Sequence, residues 1–289
     1  MKICRFNDNR VGVVENGIVK DVTEVASAIP AVNWPLPRGD MFIERLGALC
    51  EEIEKCATNA RSYPLEEVRL LSPIANPGKI VAAPVNYKLH LEESQADQGI
   101  NFGSQVKTIE ECGVFLKATS SVIGADAEVE VTREERRTDH EIELAFVIGK
   151  RARNVSENDA LDYVAGYMIG LDITIRGTED RSYRKSLDTF TVLGPWLVTA
   201  DEFGDPADVE FELKVNGQTR QKSNTRNLIY GVRKLISYAS HAYTLEPGDV
   251  FLTGTPEGVA SIHPGDIMDC LIDRVGSMQV KVSGARFAR

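Results

Sequence analysis

The chain of 289 residues carries 33 Lys plus Arg against 43 Asp plus Glu, a formal charge of −10, with 43% hydrophobic and 26% charged residues. That balance supports a sizeable globular core and excludes disorder, collagen and coiled coil. No basic block is longer than the mixed run Arg133-Glu134-Glu135-Arg136-Arg137, so no nucleic-acid or anionic-membrane partner is expected and small-molecule chemistry is the starting expectation.

From the amino terminus, Asn7, Asp8 and Asn9 arrive before any long apolar run, which does not read as a secretory leader, and no stretch approaches a membrane-spanning length. Short β-prone pieces at 3–6, 11–14 and 18–22, separated by Asn7-Asp8-Asn9 and Asn16-Gly17, predict a small meander. Over 38–61, Phe42, Leu46, Leu49, Ile53 and Cys56 recur on one helical face. Prolines then punctuate the chain from Pro64 to Pro77, which places a small N-terminal α/β unit at 1–72 and the main domain at 73–289.

The main domain offers strand candidates at 113–117, 128–131, 141–148, 166–173, 194–198, 209–215, 249–253, 267–272 and 278–283, and helices at 156–163 and 228–243. A mainly β fold with some α, closed or sandwiched, follows from that ratio. Five cysteines without a Cys-x-x-Cys pattern predict reduced thiols and a cytoplasmic protein.

Chemistry concentrates in a few segments. In DHEIELAFVIGK (139–150), strand alternation puts Glu141 and Glu143 on one face and Ile142 and Leu144 on the other. Such a pair is commonly the solvated side of an edge strand. In GYMIGLDITIRG (166–177), however, Asp172 interrupts an apolar run and needs a partner. Arg176, two pleats along, would supply a plain ion pair; alternatively Asp172 joins Glu141 and Glu143 as an all-oxygen site for a hard divalent cation. In NYKLHLEES (86–94), helical spacing brings His90 and Glu93 together, which is also an ordinary surface arrangement.

These segments, with KSLDTFTVLGPWLVT (185–199) and GDVFLTGTPEGV (248–259), occur in the order and spacing that resemble the fumarylacetoacetate hydrolase superfamily over about residues 77–285. The resemblance implies a mixed β-sandwich roll, usually a homodimer, with Mg2+ or Mn2+ held by Glu141, Glu143 and Asp172. It implies a small anionic keto-acid substrate, with His90 as general base and Glu93 orienting it. Lys117 and Arg176 are then catalytic, and Tyr87, Lys185, Gly254 and Thr255 bind substrate. The implied reaction is hydrolysis of a carbon–carbon bond in an acylpyruvate during aromatic catabolism, in which the metal polarises the keto acid as a Lewis acid.

The same site could instead isomerise a 2-hydroxydienoic diacid or decarboxylate oxaloacetate, and a non-catalytic keto-acid binder is the alternative of another class. Three departures from the family pattern stand out. Arg176-Gly177-Thr178-Glu179 replaces the usual amide with an acid, Ala260 follows Gly258-Val259, and residues 94–113 form a polar insertion read as a lid. Asp188 is expected in a turn and Trp196 in the core, and His140, His241 and His263 are not expected to bind metal.

Overall fold

Residues 1–285 are described in the computed structural model. The N-terminal meander forms as its turns dictate: Lys2–Phe6, Arg10–Glu15 and Ile18–Asp21 pair in sequence, and Asn16 and Gly17 turn the hairpin with φ of 49° and 76°. Both values lie in the left-handed region that a tight hairpin turn demands, which Asn and Gly tolerate best. The helix predicted over 38–61 spans Met41–Thr58. It starts where Asp40 accepts hydrogen bonds from the Phe42 and Ile43 amides at 2.9 and 3.1 Å, a side-chain cap for otherwise orphaned donors.

Lys2–Phe6 pairs with Thr191–Thr199, so the meander continues a sheet whose centre is built from Thr191–Thr199, Val164–Asp172 and Ile142–Ile148. Beyond these come Val250–Leu252, Ile80–Ala82 and Phe115–Lys117, giving twelve strands among the described residues with two short off-path pieces. The strand connectivity therefore crosses residue 72 without a break. A second sheet of five strands orders Gln218–Asn224, Glu210–Val215, Ile267–Ile272, Gly276–Gly284 and Glu128–Val131.

The large sheet is buried on both faces. Leu144, Phe146 and Ile148 pack with Phe211, Ile272 and Val280 of the small sheet, whereas Ala145 and Val147 pack under Ile43, Leu46 and Ile53 of the capped helix. Strand parity puts Glu141 and Glu143 on the Ala145/Val147 face, and Asp172 on the face of Met168, which belongs to the same cluster.

Segments 156–163, 228–243 and 218–224 differ from the sequence expectation. Residues 156–163 form only a 3-10 turn at Ala160–Tyr163, because Ser156 and Asp159 bond each other, hydroxyl to carboxylate at 2.7 Å and amide to hydroxyl at 3.3 Å, and so compete with helical bonding. The helix expected over 228–243 is Val232–Ala242, since Leu228 is engaged in a bridge with Tyr87. The strand Gln218–Asn224 was not foreseen. Its sequence, QTRQKSN, has no apolar residue to alternate, and only the preceding Asn216-Gly217, both at positive φ, signals a hairpin.

Candidate active site

Two neighbouring antiparallel strands deliver the carboxylates. Glu143 pairs with Gly170 and Ile142 with Leu171, and the Asp172 amide donates to the Glu141 carbonyl at 2.9 Å, so strand ends bring Glu141, Glu143 and Asp172 together. One oxygen from each lies within 4.8 Å of the others, and all three residues are buried. A buried all-oxygen donor set of three carboxylates fits a hard divalent cation such as Mg2+ or Mn2+ and lacks the thiolate or imidazole donors that softer metals prefer.

Buried carboxylates need compensation. The Lys185 ammonium donates to Glu141 at 2.6 Å, Asp172 at 2.7 Å and the Thr174 hydroxyl at 2.6 Å. Lys117, fully buried, bonds Asp172 and the Phe190 carbonyl. Arg176 pairs with Asp139 and Glu141, each at 2.8 Å. The simple Asp172–Arg176 pair is therefore not what forms: Asp172 takes the two lysines, and Arg176 takes Asp139 and Glu141. Arg137 completes the chain of charges, reaching Asp139 at 2.8 Å and Asp97 at 2.7 Å.

The three carboxylates do not titrate alike. Burial would raise Glu141, yet Lys185 and Arg176 outweigh it and bring its pKa down to about 2. Glu143 has no such cation bonded to it, and burial followed by the neighbouring Asp172 pushes its pKa well above the usual carboxylate value. Its direct partner is the Gly254 amide, which donates to it at 2.5 Å. Gly254 has φ of 98°, and a Cβ there would lie 2.7 Å from the Asn86 Cβ, so this approach is open to glycine alone.

On the other wall, His90 Nδ1 lies 2.8 Å from Glu93, and Glu93 also accepts from the Gly258 amide at 2.9 Å. The two residues stand three apart on the helix Lys88–Ala96, whose start is fixed by Asn86. That side chain donates to the carbonyls of Tyr230 and Thr253 and accepts the Tyr230 amide, at 2.8 to 2.9 Å. With Nδ1 held by Glu93, Nε2 is the nitrogen that His90 offers to the pocket.

A pocket of about 200 Å³ connects these groups, with His90, Glu141, Glu143, Asp172, Arg176, Lys185 and Thr255 on its wall. Glu93, Lys117 and Gly254 stand directly behind lining residues, as their hydrogen bonds show. Tyr87 is placed elsewhere: it is buried edge-on against Phe211, with its hydroxyl enclosed and unpartnered. The Thr255 hydroxyl donates to the Ile142 carbonyl at 2.9 Å and accepts from Gln221 at 2.7 Å, so its proton is already committed. The segment 94–113 folds into short helices at Gln98–Asn101 and Ile109–Cys112 and supplies a neutral wall that includes Phe102, Ser104 and Gln105.

Glu179 also reaches the pocket wall, but Arg136 holds both its oxygens at 2.8 Å and its pKa is drawn down to about 2. Gly177 makes room for that pair, since a Cβ there would sit 2.0 Å from the Arg136 guanidinium. Two positioning residues escaped the sequence reading. Asp139 orients both Arg176 and Arg137, and Gln221 accepts from the Ile142 amide at 3.1 Å while donating to Thr255 and the Pro256 carbonyl. Asp139 had a signal, being an acid next to the Glu-x-Glu pair; Gln221 had none. Trp196 lies in the core, donating to the Val275 carbonyl, Asp188 lies in an exposed turn, and His140 faces away from the carboxylates toward Gln221.

Residues 79–283 match the family described as fumarylacetoacetate (FAA) hydrolase C-terminal. The chain is 53% identical over 284 residues to a maleylpyruvate hydrolase of Aquipseudomonas alcaligenes, covering 98% of this chain and 99% of that protein. It superposes on the crystal structure of maleylpyruvate hydrolase from Sphingobium sp. SYK-6 in complex with manganese(II) and pyruvate, with a TM-score of 0.84 and 37% identity over 99% of this chain and 100% of that one. A 2-hydroxyhepta-2,4-diene-1,7-dioate isomerase from Mycobacterium marinum aligns with a TM-score of 0.73 and 27% identity, covering 99% of this chain and all of the other. Site geometry, matched family and full-length relatives agree, and the chain belongs to the fumarylacetoacetate hydrolase family.

Proposed function

We propose that this protein hydrolyses a carbon–carbon bond of maleylpyruvate or a closely related acylpyruvate, in the breakdown of aromatic compounds, with Mg2+ or Mn2+ bound by Glu141, Glu143 and Asp172. The observation that carries this reading is that His90, backed by Glu93, and the carboxylate triad face one pocket. The bound cation supplies Lewis-acid polarisation of the keto-acid head and stabilises enolate charge.

The side chains perform the remaining steps. His90 Nε2 takes a proton from water as its oxygen adds to the distal carbonyl, and Glu93 stabilises the imidazolium. The bond from that carbonyl carbon to the methylene breaks, the methylene carbon takes up a proton, and a carboxylic acid and pyruvate leave. Arg176 is placed to donate toward developing oxyanion charge, and Lys117 and Lys185 hold the carboxylates in position.

The Glu179–Arg136 pair bears on the alternative of isomerisation or decarboxylation. An acid in place of an amide would favour enolate-only chemistry if its carboxylate were free in the pocket, and here both of its oxygens are taken. The proposal extends to a cytoplasmic homodimer without nucleic-acid or membrane partners. Free cysteines, the acidic charge and the exposed Trp34 and Leu36 support it, and no helix among the described residues is long and apolar enough to cross a membrane. A division at residue 72 is kept in this reading, supported by the start of the family match at residue 79.

Purified protein with Mn2+ and maleylpyruvate should release pyruvate and maleate in equal amounts, followed by a coupled dehydrogenase assay and mass spectrometry. Carbon dioxide release or a dienol absorbance change without maleate would replace hydrolysis by the enolate alternatives.

A further inference from the structure

Four cationic side chains line the pocket: Arg176, Arg181, Arg184 and Lys185. Two are committed, Arg176 to Asp139 and Glu141 and Lys185 to Glu141 and Asp172. The other two sit on the short helix Arg181–Arg184, three positions apart and hence on one side of it. Arg184 donates only to backbone carbonyls, those of Glu179 at 2.8 Å and Ile175 at 3.4 Å. Arg181 touches the Cys112 thiol at 3.4 Å. Among the described residues neither guanidinium has a carboxylate partner, and the nearby acid, Glu179, is taken on both oxygens by Arg136.

The two guanidinium groups at this end of the pocket are therefore not paired directly with any carboxylate, and only the more distant Glu141 and Glu179 offset the Arg184 charge. Burial, and next to it the Arg176 guanidinium, press the Arg184 pKa below its ordinary value, a pull that Glu141 and Glu179 offset only in part. The facing wall, drawn from residues 94–113, contributes only neutral side chains such as Phe102, Ser104 and Gln105. A guanidinium pair of this kind suits a carboxylate, which it can grip through parallel N–H bonds.

We propose that Arg181 and Arg184 form an anion subsite that selects acylpyruvates bearing a second carboxylate on the acyl chain. The inference rests on the hydrolase reading: the keto-acid head occupies the triad end, and the acyl carboxylate reaches the arginine end.

The test compares maleylpyruvate with acetylpyruvate, which has no second carboxylate, in the wild type and in Arg184→Met, Arg181→Met and Arg184→Lys, all loaded with Mn2+. The kcat/KM ratio of maleylpyruvate to acetylpyruvate should fall about tenfold to a hundredfold in the Met variants, chiefly through KM, with partial recovery in Arg184→Lys. Equal losses on both substrates, or none, overturn the subsite. Calorimetric titration with maleate supplies a readout independent of turnover, and its affinity should weaken by a similar factor in Arg184→Met. Undetectable maleate binding by the wild type, or affinity unchanged in the variants, also overturns the proposal. A wild type that binds maleate but releases no pyruvate from either substrate sinks the hydrolase reading and leaves the anion subsite standing. If Arg184→Met fails to fold, Arg181→Met and Arg184→Lys carry the comparison.

Discussion

His90 and Glu179 both border the pocket, yet their bonding separates a group free to move protons from one that is not. His90 has one nitrogen fixed by Glu93 and the other facing the pocket. Replacing His90 by Ala should lower kcat by about 10²- to 10⁴-fold, the usual worth of a general base, while Mn2+ affinity measured by titration stays near that of the wild type. Unchanged kcat would remove His90 from the mechanism. Glu179, paired with Arg136, has a pKa of about 2 against an ordinary 4.5 and is a carboxylate at any working pH. Because folding lowers this pKa, the pair's contribution to stability is fully present above pH 4.5 and is lost as pH falls toward 2. Glu179→Gln should therefore flatten the acid limb of the stability curve, seen as a smaller drop in melting temperature between those pH values. An acid limb as steep as the wild type's would show that the pair does not hold in solution.

At the scale of elements, the site depends on a strand whose sequence does not announce it. Gln221 in Gln218–Asn224 satisfies the Ile142 amide just beside the carboxylates and bonds Thr255 and Pro256 in the loop that also holds Glu143 and Glu93. Truncating Gln221 to Ala leaves the Ile142 amide without its acceptor and the Pro256 carbonyl without its donor, and should cost about 1–3 kcal/mol of stability, measured by denaturant titration, with a raised KM as the loop loosens. The contrast with Ile142–Ile148 explains what the sequence made legible. Near-continuous apolar runs marked that strand and the other central strands, which are buried on both faces, and helical periodicity marked Met41–Thr58, which buries one. Gln218–Asn224 lies at the edge of the small sheet, where few side chains need burial, so its placement rests on the Asn216-Gly217 turn and backbone pairing. Likewise the Glu141, Glu143 and Asp172 cluster was legible through charges set inside apolar runs. The partners of Arg176 were not, since Asp139 meets it only when the short strands Thr138–Asp139 and Thr174–Ile175 pair.

For the molecule as a whole, the site is set inside a large sheet rather than hung on loops, and its buried acids carry their own counter-charges in Lys117, Lys185 and Arg176. A chelator should therefore abolish turnover without unfolding the protein, with activity restored by added Mn2+ and with circular dichroism unchanged throughout. Added Mn2+ should raise the melting temperature by mass action on the folded state. Loss of the dichroism signal on chelation would instead make the cation a structural requirement.

The pairing of Lys2–Phe6 with Thr191–Thr199 carries a consequence in time. Lys2 meets Val198 and Ile3 meets Leu197, so this strand must wait for a partner synthesised about two hundred residues later. At ordinary rates of translation that interval is roughly ten to forty seconds, during which the Lys2–Ile3 part of this edge has no neighbour, its Arg5–Phe6 part pairing with Leu70–Leu71. The nascent chain is then an exposed β edge, open to pairing with another copy on a crowded polysome. Recovery of soluble protein should accordingly depend on the speed of synthesis and on chaperones that shield the emerging chain, even though the finished fold is closed at that seam.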